Sequence, residues 1–231
     1  MPSGALKIDC QFSITHWQDI LKQAIALGYR FCSFDDYAIG PKDNEFTILL
    51  RHDVDVSLKK AIRLAKIESN LNIFATYFIR LKSRFYNPET PENRKLINEL
   101  KEQNVEIGLH YDLQYYQEHG NDPLKMFATD IEKLSNLIDS AVRVCSSHRQ
   151  RSFSTLKNED IRRTGIFYEA YEPAFIAQAK YISDSKRHWR EGCLCKWLGK
   201  EKRLTVLMHP IWWFGQEIDK NVILDRIKKG D

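Results

Sequence analysis

The sequence has no long hydrophobic run, no glycine-rich phosphate loop, no nucleophile elbow and few cysteines, and each absence narrows the possibilities. No apolar run approaches the ~20 residues of a membrane span. The start, MPSGALKIDCQF, has no basic stretch leading into an apolar one, so no secretory signal is expected and a cytoplasmic location is. Without a Walker-type loop or a G-x-S-x-G elbow, kinase and serine-hydrolase readings have no support. The five cysteines, Cys10, Cys32, Cys145, Cys193 and Cys195, are odd in number and irregularly spaced, which does not read as a disulfide framework. Free thiols in a reducing compartment are expected. Cys193 and Cys195, in GCLCKW, would share a face if that piece were a strand. A C-x-C alone is a poor signal for the closed four-ligand sites of zinc, so these cysteines read as structural. An excess of one charge is lacking too: 35 Lys and Arg against 31 Asp and Glu leave +4. The positive residues are scattered apart from short clusters such as KKAIR, so no nucleic-acid partner is expected.

Hydrophobic residues make up 43% of the 231 and aromatics 12%, enough for a large core and incompatible with disorder. No repeat, low-complexity tract or Pro/Gly/Ser-rich linker divides the chain, so residues 1–231 are expected to form a single domain. Short apolar runs alternate with helical patterns. FTILL, IFATYFI, VEIGL, AVRVCSS, IFYEA, KYIS and RLTVLM read as strands. THWQDILKQAIALG reads as a helix capped by Thr15 and stopped by Gly28. Further helices follow: SLKKAIRLAKIESN with Ser57 as cap, PENRKLINELKEQN with Pro91 in its first turn, DPLKMFATDIEKLSNLIDS, STLKNEDIRRTG and the closing DKNVILDRIKK. Strands alternating with helices imply parallel βα units, and about seven of them in one domain favour a barrel over an open sheet.

Polar residues follow the apolar runs: RHDVD after FTILL, HYD after VEIGL, HRQR after AVRVCSS, DSKRHW after KYIS and HPIWW after RLTVLM. In parallel barrels the C-terminal strand ends form one rim, where catalytic residues sit. Asp53 and Asp55, two apart in extended backbone, would point the same way. Their mutual repulsion needs compensation, and a divalent cation supplies it. His110, His148 and His209 add imidazole nitrogens, and carboxylate with imidazole suits zinc and other first-row divalent ions. His16, His119 and His188 fall in helical or polar stretches and read as non-catalytic.

These residues resemble the polysaccharide deacetylase superfamily (carbohydrate esterase family 4, NodB-like), and most closely its divergent HDVD branch, over roughly residues 46 to 213. The resemblance implies a distorted (β/α)7 barrel and hydrolysis of the N-acetyl group of an amino sugar with a divalent metal, zinc above others. It makes Asp53 the catalytic base and Asp55 a metal ligand, two roles that could be exchanged. His110 matches the first histidine of the second motif, but Gln114 stands where the second belongs. His148, or else Asp112, would supply the third ligand. Arg149 resembles the arginine that orients the base, although the Pro-aromatic pair that follows it in the family is missing. Asp184 would buttress that arginine and Trp189 wall the acetyl pocket. Leu207 would line the same pocket, joined by Trp212, and His209 would be the general acid.

The leading expectation is therefore a metal-dependent deacetylase with a carbohydrate substrate, acting in surface polysaccharide biosynthesis on a nucleotide- or lipid-linked sugar. Two alternatives stand beside it. One is a metal-dependent hydrolase of another small amide or ester. The other is an inactive barrel that binds a glycan or protein partner, which Gln114 keeps open.

Overall fold

The computed structural model describes residues 10–40, 44–148, 156–214 and 220–229. Its strands are β1 (Arg30–Phe31), β2 (Thr47–Val54), β3 (Ala75–Ile79), β4 (Val105–Tyr111), β5 (Val144–Ser147), β6 (Tyr168–Glu169), β7 (Lys180–Ser183) and β8 (Arg203–Met208). Its helices are α1 (Ile14–Ala26), α2 (Phe34–Ile39), α3 (Leu58–Asn70), α4 (Pro91–Lys101), α5 (Leu113–His119), α6 (Pro123–Ile138), α7 (Asn158–Arg163), α8 (Pro173–Ile176) and α9 (Lys220–Lys229). All strand pairs are parallel, in the order β6-β5-β4-β3-β2-β8-β7. β1 flanks the first half of β2, pairing Arg30 with Thr47, whereas β3 flanks the second half, pairing Asp53 with Phe78. The curled sheet is the distorted barrel expected from the alternation of elements.

Period-two alternation along β2 sorts its side chains into two layers. Ile48, Leu50 and Val54 join the core between sheet and helices, with Leu58, Ala61 and Ala65 of α3. Leu49 faces the other way, into a separate apolar plug with Phe78, Val144, Phe34 and Phe175 inside the curl. Gly108 in β4 serves that plug: a Cβ there would lie 2.6 Å from the Phe78 ring and 2.8 Å from Val144. On the helix side, His52 Nε2 lies 3.0 Å from Glu68. Trp17 Nε1 and Tyr77 OH donate to the same carboxylate at 3.1 and 2.7 Å. His52 thus belongs to a buried structural network rather than to the rim.

Several boundaries differ from the sequence reading, each for a local reason. The cap of α1 is Ser13 and not Thr15, because Ser13 Oγ accepts from His16 N–H at 3.2 Å. Ser57, Thr90 and Asp122 cap α3, α4 and α6, the last two with Pro in the first turn. GCLCKW is no strand; its centre, Leu194–Lys196, is a short 3₁₀ turn. Among the described residues, no helix is long and apolar enough to cross a membrane.

Candidate active site

The strand ends converge as the sequence pattern expects, though two strands run further than their apolar stretches. β2 continues through RHDV, and every one of its residues is buried. β4 continues through His110 and Tyr111. Asp53 therefore lies within a strand and Asp55 just past its end, both on the inner face.

The His110 ring Nδ1 lies 3.0 Å from the Ser146 carbonyl oxygen. A carbonyl can only accept, so Nδ1 carries the proton and Nε2 presents a lone pair. That Nε2 lies 3.4 Å from Asp55 Oδ1 and 3.2 Å from His148 Nδ1. His148 Nδ1 is itself 3.2 Å from Asp55 Oδ1. Asp55 Oδ1 is buried without a well-aligned hydrogen bond among the described residues, although two imidazole nitrogens stand beside it. The three ligand atoms lie within 4.8 Å of one another. Their spacing matches the ~3.4 Å edge that four-coordinate ligands at about 2.0–2.1 Å produce. One carboxylate and two imidazoles form a donor set suited to zinc or a similar ion, and the Nδ1–H bond to Ser146 fixes the tautomer a ligand needs.

Burial would raise the Asp55 carboxyl, but the neighbouring His110 and His148 imidazoles outweigh it and hold the group well below its usual range. Burial would lower His110, yet Asp53 and Asp55 raise it. Burial dominates at His148, which is lowered.

Asp53 is 3% exposed. Its Oδ2 lies 3.6 Å from His110 Nε2, and its Oδ1 has no hydrogen-bond partner among the described residues. Across the cleft, His209 follows β8, which pairs directly with β2. His209 Nδ1 lies 2.6 Å from Asp184 Oδ1, while His209 N–H and Trp213 Nε1 both donate to Asp184 Oδ2 at 3.0 Å. Burial would lower His209, but Asp184 first, then Asp53 and Asp55, push it up to about 9. Its Nε2 faces the centre, 4.0 Å from Asp55 Oδ2.

Asp53, Asp55, His110, His148, Leu207, His209 and Trp212 all line one cavity of about 560 Å3. Asp112 is placed otherwise: it pairs with Arg80 and accepts from Tyr115 N–H as the cap of α5. Gln114 is exposed on α5, donating to Glu118 at 2.7 Å. Arg149 lies outside the described residues. Asp184, expected to buttress that arginine, is engaged with His209 and Trp213. Trp189, expected as a pocket wall, stacks on Phe12 at 5.7 Å and packs against Trp213 instead.

The cavity also holds residues that the sequence reading did not single out: Tyr171, Tyr181, Lys186 and Arg190 on its walls, and Arg51 beneath. The Arg51 guanidinium is fully buried, 4.1 Å over the Tyr171 ring, with no hydrogen-bond partner among the described residues. Period-two spacing from Asp53 could have flagged Arg51; Tyr171 and Tyr181 carry no such signal.

No protein-family model matches the chain, and no curated protein is similar to it at a significant level. Solved structures are similar in fold. The Bc1960 peptidoglycan N-acetylglucosamine deacetylase aligns with TM-score 0.50 and 14% identity, over 90% of this chain and 89% of that one. A mutant of BA3943, a CE4 family pseudoenzyme, gives TM-score 0.50 and 16% identity over 80% of this chain and 63% of that one. Wild-type BA3943 from Bacillus anthracis gives TM-score 0.49 and 15% identity over 80% of this chain and 62% of that one. The match thus spans less than two thirds of the BA3943 chains.

Proposed function

We propose, from the premise that the chain has the NodB-like fold of the polysaccharide deacetylase superfamily, that it is a metal-dependent hydrolase removing an N-acetyl group from an amino-sugar derivative. The observation that carries this reading is the convergence of Asp55, His110 and His148, whose ligand atoms lie within 4.8 Å of one another, beside Asp53 and opposite His209.

Asp55, His110 and His148 would hold the ion. When bound, a divalent cation supplies Lewis-acid chemistry, polarising a carbonyl and making water easier to deprotonate. This chain's own residues do the rest. Asp53, with one carboxylate oxygen unpartnered, accepts a proton from the attacking water. His209 keeps Nδ1–H on Asp184 and holds a second proton on Nε2, which it delivers to the departing amine nitrogen. Leu207 and Trp212 give the acetyl methyl an apolar wall. The cations Lys186 and Arg190 suit a sugar carrying a negative group, as a nucleotide- or lipid-linked precursor does.

A barrel alone does not fix activity, as BA3943, a pseudoenzyme of similar fold, illustrates. Gln114 would favour the inactive reading; the nearness of His148 Nδ1 to Asp55 Oδ1, 3.2 Å, supports the active one. Acetate release from N-acetylated amino sugars, free and phosphate-linked, tests the proposal. Zinc-loaded protein should release acetate, and His209→Ala should release far less. Sugar binding without acetate release in any metal-loaded form would establish the inactive reading instead.

A further inference from the structure

A second cluster of metal-ligating atoms lies away from the cavity. Cys10, ahead of α1, and His16, in its first turn, meet Cys193 and Cys195 from the connection between β7 and β8. Cys10 Sγ lies 3.6 Å from Cys195 Sγ, and His16 Nε2 lies 3.4 Å from Cys193 Sγ. All four ligand atoms fall within 4.8 Å of one another. His16 and Cys193 are buried, at 4% and 2% exposure. We propose that Cys10, His16, Cys193 and Cys195 form a closed, structural zinc site that fastens the start of the chain to the β7–β8 connection.

Ligand count, chemistry and spacing carry the inference. Three sulfurs and one imidazole nitrogen make a Cys3His set, one of the standard closed zinc sets. Around a tetrahedral zinc, sulfur ligands at ~2.3 Å sit about 3.8 Å apart, and sulfur and imidazole nitrogen about 3.6 Å apart. The observed 3.6 and 3.4 Å are close to those edges. A disulfide would need the sulfurs at ~2.05 Å, and none of the five cysteines is in one. Binding would release the thiol protons to solvent and leave three thiolates and a neutral imidazole around Zn2+, a net charge of −1.

The position gives the site a purpose. Cys10 and Cys195 are 185 residues apart, so the ion would close a long loop. The connection it fastens carries Asp184, which orients His209, and the cavity residues Lys186 and Arg190. Around it, Phe12 stacks on Trp189 and packs on Trp213 at 5.4 Å, and Ile14 N–H donates to Phe214 O at 2.7 Å. The clip would set the height of this rim without touching substrate.

Cobalt substitution reads the site directly, because sulfur-to-cobalt charge transfer requires thiolate ligands. Reduced parent protein loaded with Co2+ should show that band with the intense visible bands of a tetrahedral centre. His110→Ala, which removes a ligand of the other centre, should keep both. Cys193→Ser/Cys195→Ser should lose both and bind one ion fewer per chain. Should that variant fail to fold, zinc X-ray absorption on His110→Ala answers alone: sulfur scatterers at ~2.3 Å support the site. Only nitrogen and oxygen scatterers, a Cys10–Cys195 disulfide in protein prepared under reducing conditions, or a cobalt spectrum without the sulfur band would overturn it.

Discussion

Replacing Asp184 by Asn tests what makes His209 an acid. The imidazole Nδ1 lies 2.6 Å from Asp184 Oδ1, and this carboxylate leads the charges that raise His209 from 6.5 to about 9. Such a rise corresponds to roughly 3 kcal/mol in favour of the imidazolium. In Asp184→Asn, the oxygen that accepts from both His209 N–H and Trp213 Nε1 is best kept as the amide oxygen, so the amide NH2 faces Nδ1. That nitrogen must then accept, which leaves the proton on Nε2 and disfavours the cation. Proton NMR of the imidazole in protein without metal at the Asp55 centre should show His209 losing most of its rise. Stability should follow with a definite sign. His209 titrates higher folded than unfolded, so its contribution is full below pH 6.5 and fades as the pH climbs through about 9. In urea unfolding, the gap between parent and variant should narrow over that window by up to ~3 kcal/mol. A variant whose His209 still titrates near 9, or a gap that does not vary with pH, would refute the role given to Asp184.

Asp53→Asn should lower kcat by ~10²–10⁴ while the metal content stays at the parent's level; loss of metal instead would exchange the roles of Asp53 and Asp55. His110→Ala should abolish zinc binding at the Asp55 centre in a calorimetric titration and leave the circular dichroism spectrum unchanged. Gly108→Ala should destabilise the fold by ~1–3 kcal/mol, because the new methyl must displace the Phe78 ring and Val144; an unchanged denaturation midpoint would mean that the plug yields freely.

The strands were legible because their apolar runs are short, separated and bounded by helix caps. The rim was legible for the same reason: polar residues follow strand after strand, and Asp55, His110, His148 and His209 all come from those positions. The ends of β2 and β4 were harder. Arg51, Asp53 and His110 are polar, so they read as loop, yet they remain in the ladder because they face a cleft rather than the apolar layer. β1 pairs through Arg30 and Phe31 alone, too short for any period to register. Asp112, offered as a ligand, looks the same in sequence as a helix cap, and only the position of Arg80 separates the two. The cysteine cluster was invisible because its halves lie at opposite ends of the chain. Cys10 and His16 have no metal-site spacing to each other, and C-x-C alone is a weak signal.

Anomalous diffraction at the zinc edge from crystals grown with Zn2+ tests the metal centre most directly. The expected result is a peak within coordination distance of Asp55, His110 and His148, with Asp53 and His209 on either side of the open position. Full zinc exposure with no peak there, and the two imidazoles hydrogen-bonded to Asp55 instead, would contradict it.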